Sequence, residues 1–502
     1  MTLRDRLRRF GRWLIPTGGV AERTVKSGIW VSFSNISHRL LQIVLVIILA
    51  RLLEPRDFGL MGIALLTIGS LKHLTNLGID EALIQKKADV VDGYLDTVFT
   101  LEIFRGLLIS GSVFLAAPYI AGFFGEPRAT LIIQVIAFSP LVMSVRNPGI
   151  VYFQKDLEFH KLTLYRLSYS VTRFVVGVVY AFISPTVWAL VVSYMVADLT
   201  RLAVSYLAHG YRPWPDFDLE RAKELINYGK WITGGSILYW LYSQGDDVVV
   251  GWVLSATSLG FYQVAYQLAN APGTEISGIV RKVMFPSFSK LQGDMDALRE
   301  AFYRTVQVVT FVAFPAAVGI AVVAPTFVEA FMGRDWLPMV TAMQLLAVNA
   351  FLLSLTNTYS PVWKALDRPD YGTKLATVRV VLLAILIYPM TAAFGIEGTA
   401  MTVAGIFIFP MLWLDTYLVI NILDGSYLKL AMEVVYPGVA SLAMGIAVVA
   451  VERTLVVGSP VLEFLVLVLV GVVAYALAVA VIVTQFRWGL EQNIRSLVRS
   501  VR

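Results

Sequence analysis

Basic side chains stand inside long apolar stretches in the first half of the sequence, where a membrane helix would hold them in hydrocarbon. A charged side chain near the bilayer centre costs roughly 2.5–3.5 kcal/mol, so each should face protein or water. Guanidinium groups also match phosphate oxygens with two parallel hydrogen bonds. We therefore predict a cationic cavity that binds a pyrophosphate or an acidic sugar. The residues predicted to line it are Arg39, Lys72, Arg105, Arg173 and Arg201.

Local ion pairs are the alternative explanation for two of these cations. Each follows an acidic residue by three positions, which brings the two charges together on a helix. The two candidate pairs are Glu102 with Arg105 and Asp198 with Arg201. Arg39 and Lys72 have no acidic residue within one helical turn, which favours cavity exposure for both.

Acidic residues dominate the comparable positions of the second half of the sequence. Gly245 should loosen its helix and free carbonyls that join a carboxylate around Na⁺. A carboxylate there could instead carry a proton, so Na⁺ and H⁺ are alternative coupling ions, and no other cofactor is expected. The alternative interpretation is that these carboxylates face outer water or pair with a neighbouring helix. The candidates for ion coupling are Asp246, Asp247, Glu275 and Asp415.

The elements that must position these charges are membrane helices. Hydrophobic residues make up 57% of the 502, charged residues only 15%, and the mean hydropathy is +0.70. A bilayer requires about 20 apolar residues for each span. Such stretches predict an all-α polytopic membrane protein of about fourteen transmembrane helices. The predicted spans are 27–52, 58–79, 94–118, 129–152, 163–184, 187–208, 229–253, 258–280, 304–328, 338–359, 372–394, 396–421, 430–451 and 461–485.

The distribution of basic residues gives the orientation, because Lys and Arg accumulate in cytoplasmic loops. With the N-terminus inside, thirty of the forty-one Lys and Arg residues fall on the inner side. Both termini are therefore predicted to be cytoplasmic, in the cytoplasmic (inner) membrane of the cell. The net charge of +6 then reflects membrane orientation, and no nucleic-acid partner is expected.

Several function classes are excluded by what the sequence lacks. It contains no cysteine, which removes thiol catalysis and Cys-ligated zinc, and its four histidines are far apart. It contains no GxxxxGK[ST] phosphate loop, so direct driving by ATP is not expected.

An internal repeat relates the two halves of the chain. A shift of 201 positions, without gaps from 26 to 64, superposes seven identical residues, among them Gly59 on Gly260. Gly125 falls on Gly333 at a shift of 208. An even number of spans in each copy predicts two six-helix lobes related by a pseudo-two-fold axis along the membrane normal, as in transporters that alternate access between the two sides.

The predicted organisation follows from the repeat and the charge clusters. A proline- and charge-containing stretch around Pro213 and Pro215 marks the linker between the lobes. The predicted parts are a basic cytoplasmic N-terminal segment (1–26), an N-lobe (27–208), a cytoplasmic linker (209–228), a C-lobe (229–421), and two extra helices with a basic cytoplasmic tail (422–502).

Particular motifs carry a resemblance to a known family. The stretch Ala50-Arg51-Leu52-Leu53-Glu54-Pro55-Arg56-Asp57-Phe58-Gly59-Leu60, followed by Leu77-Gly78-Ile79-Asp80-Glu81-Ala82-Leu83-Ile84-Gln85-Lys86, closely resembles the opening of polysaccharide-transport (Wzx-type) flippases. These belong to the multidrug/oligosaccharidyl-lipid/polysaccharide exporter superfamily. Weaker similarities occur at Asp247-Val248-Val249-Val250-Gly251, at Leu259-Gly260-Phe261-Tyr262 and over 285–292.

The resemblance implies movement of a polyprenyl-phosphate- or pyrophosphate-linked oligosaccharide from the inner to the outer leaflet, through a cavity between two lobes. It implies a transporter rather than an enzyme, monomeric as the functional unit and surrounded by membrane lipids. Its expected partners are the lipid-linked oligosaccharide and the glycosyltransferases or glycan polymerase that act before and after it.

Two other functions compete with this interpretation. A multidrug exporter of the same superfamily would share the fold, but a carrier of cations should prefer an acidic, aromatic pocket. A membrane glycosyltransferase would place carboxylates such as Asp246 and Asp247 at the outer surface, but the predicted outer loops are too short for an acceptor-binding domain.

Overall fold

The computed structural model describes residues 20–76, 78–85, 88–454 and 458–486. Within these ranges the chain forms helices and connecting loops without a β-strand, which confirms the predicted all-α class. Residues 1–19 of the predicted N-terminal segment lie outside the described residues, and so does the predicted tail from residue 487 onward. By its internal contacts the chain divides into two compact units, Met1–Gly260 and Phe261–Arg502.

The first unit is built on long helices that pack in pairs. Helix α8 packs along both α9 and α1, α4 packs against α5 and α6, and α10 packs against α2. The helices are α1 (Val20–Leu52), α2 (Pro55–Leu74), α3 (Ile79–Gln85), α4 (Ala88–Phe123), α5 (Ala129–Ile136), α6 (Phe138–Ser144), α7 (Val151–Lys155), α8 (Phe159–Ile183), α9 (Trp188–Ala208) and α10 (Leu219–Val253).

The second unit is also built on long helices that pack in pairs. Helix α13 packs against α14, α18 and α19, and α14 packs against α16. Helix α11 (Ala256–Ala269) begins in the first unit and continues in the second. The remaining helices are α12 (Ala271–Leu291), α13 (Met295–Phe327), α14 (Val340–Thr356), α15 (Ser360–Ala365), α16 (Asp370–Ile406), α17 (Leu412–Ile422), α18 (Tyr427–Thr454) and α19 (Pro460–Phe486).

The helices confirm a multi-pass membrane protein. In the described part of the chain, nine helical segments are long and apolar enough to cross a bilayer, or ten when one bent pair is taken as a span. One of the nine, Asp370–Ile422, has 53 residues, far more than the roughly 20 that one crossing needs. The number of fourteen spans stays a prediction.

The break within that stretch lies where the sequence predicts it. Gly395, between the predicted spans 372–394 and 396–421, has φ 63° and ψ −144°, which are not helical angles. Only glycine adopts a left-handed conformation of this kind without steric cost. The residue therefore separates the helical segment 370–394 from the segment that follows it.

The stretch of the predicted span 129–152 is bent and does not form one straight helix. The chain forms α5 and α6, leaves the helix after Ser144, and resumes with a 70° bend through a 3₁₀ turn at Pro148–Ile150. Pro148 has no N–H to donate and disfavours helical angles at the preceding Asn147. Asn147 is accordingly extended, with φ −64° and ψ 114°.

The internal repeat reappears in the backbone. Helix α1 ends at Leu52 and α10 at Val253, and the next helices begin at Pro55 and Ala256, both pairs 201 residues apart. Gly125 and Gly333, which the repeat superposes, both have positive φ, 65° and 105°. The correspondence therefore extends from residue identity to local conformation.

Gly59 and Gly260, which the repeat superposes, both lie where α2 and α11 are in close contact. A Cβ on Gly59 would lie 1.7 Å from the carbonyl oxygen of Ala256, and a Cβ on Gly260 would lie 1.9 Å from that of Pro55. The first turns of α2 and α11 thus pack backbone against backbone, which leaves no room for any side chain at these two positions.

The predicted linker is held against the first unit. The Tyr211 hydroxyl donates to Asp96 on α4 (2.7 Å), and Trp214 donates its backbone N–H to the same carboxylate (3.0 Å). Burial, together with the hydrogen bond to Asp96, raises the pKa of the Tyr211 phenol, so it remains a donor at neutral pH. Asp218 then caps α10 by accepting from the N–H groups of Glu220 and Arg221.

Candidate functional site

A cavity of about 180 Å³ in the first unit brings basic side chains together. We call it the basic chamber. Helices α2, α4 and α6 supply its walls, and the break after α6 supplies one more cation. Its lining residues are Lys72, Glu102, Arg105, Gly106, Ile109, Pro140, Met143, Ser144 and Arg146. It therefore contains two of the five predicted cations and a third, Arg146, that was not among them.

Arg105 holds the C-terminal end of α2 as well as lining the chamber. Its guanidinium donates to the Lys72 carbonyl (3.1 Å), to Thr75 Oγ1 (3.2 Å) and to Glu102 Oε1 (3.1 Å). The last carbonyls of a helix have no partner within it, and a cation near them is favourable. The local ion pair with Glu102 is thus formed, and Arg105 fixes the turn that carries Lys72.

Among the residues that the structure describes, Lys72 forms no ion pair with a carboxylate of the chamber lining. Glu102 is the one acidic residue among the described lining residues, and it is bonded to Arg105 at 3.1 Å. Three cations therefore face one carboxylate. The described lining therefore holds more basic than acidic side chains, a composition that favours an anion.

The helix break fixes the position of Arg146. The neighbouring Asn147 side chain donates to the carbonyls of Tyr211 (2.8 Å) and His209 (3.3 Å) and accepts from the N–H of Gly149 (2.9 Å). Burial lowers the pKa of the His209 imidazole, which keeps the ring neutral in this contact region. Arg146 thus stands on a backbone turn that the linker holds in place.

Arg201 lies in a second cavity, of about 120 Å³, that shares Arg146 with the basic chamber. Its guanidinium lies 4.9 Å from the centre of the Tyr165 ring. The ion pair considered for it is not formed, because no contact within 4.0 Å joins it to Asp198 in the described part of the chain. Asp198 instead accepts a hydrogen bond of 2.6 Å from Ser139.

The other two predicted cations line neither cavity. Arg39 on α1 donates to Gln42 one turn later, at 3.3 Å. Arg173 on α8 lies 5.7 Å from the centre of the Tyr194 ring. The structure thus brings Lys72 and Arg105 together, places Arg201 next to them, and leaves Arg39 and Arg173 elsewhere in the unit.

The acidic pair on α10 is buried. Asp246 and Asp247 are only 4% and 8% exposed. Helix α10 continues through Gly245, and the expected loosening of the helix there is wrong. Among the residues that the structure describes, no group of three or more His, Asp or Glu side chains comes together as a metal site would require.

The remaining predicted carboxylates are in the second unit. The Glu275 side chain lies outside the described residues. Asp415 is fully buried and forms a 2.5 Å ion pair with Arg379 of α16. Sequence reasoning missed Arg379, although a cation and a carboxylate in two neighbouring predicted spans were a signal for this pair. Arg146 was missed as a site residue, and its signal was the Asn-Pro-Gly turn that follows it.

Comparisons with known proteins agree with this architecture. A family model described as "Polysaccharide biosynthesis protein" matches residues 48–341. The chain is 28% identical over 363 residues to the lipopolysaccharide biosynthesis protein WzxC of Escherichia coli K12, covering 72% of this chain and 74% of WzxC. It is 25% identical to the teichuronic acid biosynthesis protein TuaB of Bacillus subtilis, covering 85% of this chain and 88% of TuaB.

Solved structures share the fold at lower sequence identity. The lipid II flippase MurJ in an inward closed conformation matches with a TM-score of 0.74 at 13% identity, over 91% of this chain and 99% of that chain. An inward-facing multidrug resistance transporter of the MATE family matches with a TM-score of 0.62 at 14% identity, over 78% and 99%. The chain therefore belongs to the polysaccharide biosynthesis protein family.

Proposed function

We propose that this protein is a flippase that moves a polyprenyl-phosphate- or pyrophosphate-linked oligosaccharide from the inner to the outer leaflet by alternating access. The observation that carries the proposal is the basic chamber, in which Lys72, Arg105 and Arg146 face one carboxylate. A phosphate group is costly in hydrocarbon without such partners, because a membrane offers it neither water nor counter-charge.

The chamber residues have distinct parts in this proposal. Lys72 and Arg146 contact the anionic headgroup of the cargo, Arg146 with the paired donors that phosphate oxygens accept. Arg105 is a positioning residue, because its bonds to Glu102 and to the end of α2 hold Lys72 in place. Arg39 and Arg173 stay predicted residues of a cationic cavity that binds a pyrophosphate or an acidic sugar.

The names of the relatives support the class of cargo. WzxC and TuaB are named for the biosynthesis of lipopolysaccharide and teichuronic acid, and ExoT of Rhizobium meliloti, 24% identical over 369 residues, is named a succinoglycan biosynthesis transport protein. Each polymer is a glycan, and none of these names describes an enzyme. We therefore infer a transport step in the assembly of a cell-surface polysaccharide.

Location and partners follow from that step. The protein acts as a monomer in the cytoplasmic membrane with both termini on the cytoplasmic side. Glycosyltransferases supply the lipid-linked cargo on that side, and a glycan polymerase or a further glycosyltransferase uses it on the other. Lys and Arg in the inner loops support the orientation.

An ion gradient is the proposed driving force. Asp246 and Asp247 are buried carboxylates on one helix, where Na⁺ or H⁺ binding would change the local charge. One charge moved through 100 mV is worth about 2.3 kcal/mol, enough to bias the return of the empty carrier. Glu275 is a further candidate, and Asp415 is a weaker one because Arg379 already neutralises it.

A multidrug exporter is the second candidate, because the MATE transporter shares the fold. Its cargo would be cationic, and the excess positive charge of the basic chamber disfavours such a cargo. A membrane glycosyltransferase has no support from the family.

Reconstituted translocation tests the proposed function. In proteoliposomes carrying a pyrophosphate-linked oligosaccharide, Lys72→Gln should slow translocation at least tenfold. A hydrogen bond to a charged group contributes about 1.5–3 kcal/mol, and about 1.4 kcal/mol corresponds to a factor of ten. Lys223→Gln is the matched control, since its exposed ammonium only pairs with Glu220 at the surface (3.1 Å).

Three outcomes of this experiment would count against the proposal. Equal rates for Lys72→Gln and the wild type would remove the role of the chamber. Absence of translocation by the folded wild type would remove the flippase. A translocation rate that does not change with imposed Na⁺ gradients, pH gradients or membrane potential would contradict ion coupling at Asp246 and Asp247.

A further inference from the structure

The second cavity of the first unit has a lining that suits a small anion. Three arginines line it, two on neighbouring helices and one at the break after α6, and none of its described lining residues is acidic. The lining residues are Ile84, Arg146, Asn147, Pro148, Ile150, Val151, Gln154, Leu162, Tyr165, Arg166 and Arg201. Like charges brought this close together repel unless an anion joins them.

Two buried donors in this lining have no protein acceptor. In the described part of the chain, Arg201 Nε and the Tyr165 hydroxyl are both buried without a hydrogen-bond partner, and Tyr165 is only 1% exposed. Buried polar groups are almost always satisfied, so an unsatisfied one points to a bound water or ion. Two such donors beside one cavity indicate a ligand that accepts from both.

The size and walls of the cavity restrict that ligand. Its volume of about 120 Å³ is several times the roughly 30 Å³ of one water in the liquid, which is room for a tetrahedral group but not for a sugar chain. Arg166, one of its lining residues, is exposed. The Arg201 guanidinium is fixed over Tyr165 at 4.9 Å and needs little further ordering to bind.

We propose that Arg146, Arg166, Arg201 and Tyr165 form a second anion site, for one phosphoryl group. The inference deepens the proposed function, on which it rests for the identity of the cargo. Arg146 lines both cavities, so a phosphoryl group bound here lies beside the basic chamber. The group belongs either to the lipid-linked cargo or to an anionic membrane phospholipid, since both present the same oxygens to the arginines.

Binding of inorganic pyrophosphate to the purified full-length protein tests the site. Arg166→Gln should weaken that binding at least tenfold, because it removes a guanidinium that accounts for a charge-assisted contact. Arg201→Gln should do the same. Lys161→Gln is the matched control on the same helix, because its ammonium pairs with Glu158 at the surface (2.7 Å) and lines neither cavity.

Arg166 carries the test if Arg201→Gln fails to fold, because the Arg166 side chain is exposed. Tyr165→Phe adds a smaller change that removes only the unsatisfied hydroxyl, and it should weaken binding several-fold. Unchanged pyrophosphate binding in both Arg166→Gln and Tyr165→Phe would overturn the proposal. Equal weakening by Lys161→Gln would overturn it as well, since net charge alone would then explain the result.

Two additional arms identify the source of the phosphoryl group. The protein is reconstituted in nanodiscs of phosphatidylglycerol or of phosphatidylcholine, and pyrophosphate binding is measured in both. If a phospholipid occupies the site, phosphatidylglycerol should weaken pyrophosphate binding. If the cargo occupies the site, the two lipids should give the same binding. Translocation of the lipid-linked oligosaccharide, measured in parallel, separates the two proposals. Wild-type translocation with unaltered pyrophosphate binding in the variants would reject only the second site. If the variants lose pyrophosphate binding but the wild type does not translocate the lipid-linked oligosaccharide, only the proposed flippase function would be rejected.

Discussion

Gly59→Ala is expected to prevent accumulation of the folded protein or to lower its melting temperature sharply. The new Cβ would lie 1.7 Å from the Ala256 carbonyl oxygen, and this neighbour is backbone that cannot rotate away. Overpacking typically costs 1–3 kcal/mol, and a backbone clash places this change at about 3 kcal/mol or more. Gly260→Ala should behave alike, because its Cβ would lie 1.9 Å from the Pro55 carbonyl oxygen.

Thermal unfolding in detergent, followed by size-exclusion chromatography, measures this effect. Gly111→Ala is the matched control, because it lies within α4 and a Cβ there would meet nothing within 4 Å. Alanine should even stabilise that helix by about 0.5–1 kcal/mol. If Gly59→Ala and Gly111→Ala melted at the same temperature as the wild type, the backbone contact between α2 and α11 would be wrong.

Arg379→Ala should also destabilise the protein strongly. It would leave the Asp415 carboxylate fully buried without its partner at 2.5 Å. Removing one member of a buried ion pair costs roughly 3–5 kcal/mol, because an uncompensated charge stays inside the protein. The loss should appear as a lower melting temperature and reduced yield in the same chromatographic assay.

The double variant Arg379→Leu with Asp415→Leu separates lost charge pairing from lost packing. Apolar residues of similar volume often replace a buried ion pair without loss of stability. We expect the double variant to melt near the wild type and well above Arg379→Ala. A double variant as unstable as the single one would show that the pair does not act through its charges.

Much of the architecture can be predicted, because the lengths of the apolar stretches and the positions of glycines are properties of the local sequence. The gapless shift of 201 residues matched Gly59 to Gly260, and the structure shows both glycines in the same close contact. The break at Gly395 was likewise expected between two apolar stretches. Such features depend on chain length and on backbone sterics, which need no knowledge of distant contacts.

The site was only partly readable, because charges find partners across the fold. Lys72 and Arg105 were predicted together, but the bond from Arg105 to the Lys72 carbonyl depends on how α4 meets the end of α2. Arg146 is not among the predicted cavity residues, although the predicted span 129–152 contains it. Only the bend at Asn147 and Pro148 turns that residue into the lining of two cavities.

The second unit gives the same lesson for the carboxylates. Asp415 was expected to bind a coupling ion, and its ion pair depends on Arg379, which lies 36 residues earlier in the sequence. No helical spacing rule connects residues that far apart, since such rules reach only three or four positions. The burial of Asp246 and Asp247 was similarly set by packing around α10 rather than by the local sequence.

Protection of a single cysteine in the basic chamber tests the central claim most directly. The chain has no cysteine, so Met143→Cys places a single thiol on the chamber wall. A saturating pyrophosphate-linked oligosaccharide should slow labelling by an anionic thiol reagent at least fivefold. Thr484→Cys, exposed on α19, should be labelled at an unchanged rate. Labelling of Met143→Cys that is indifferent to the cargo would contradict the account.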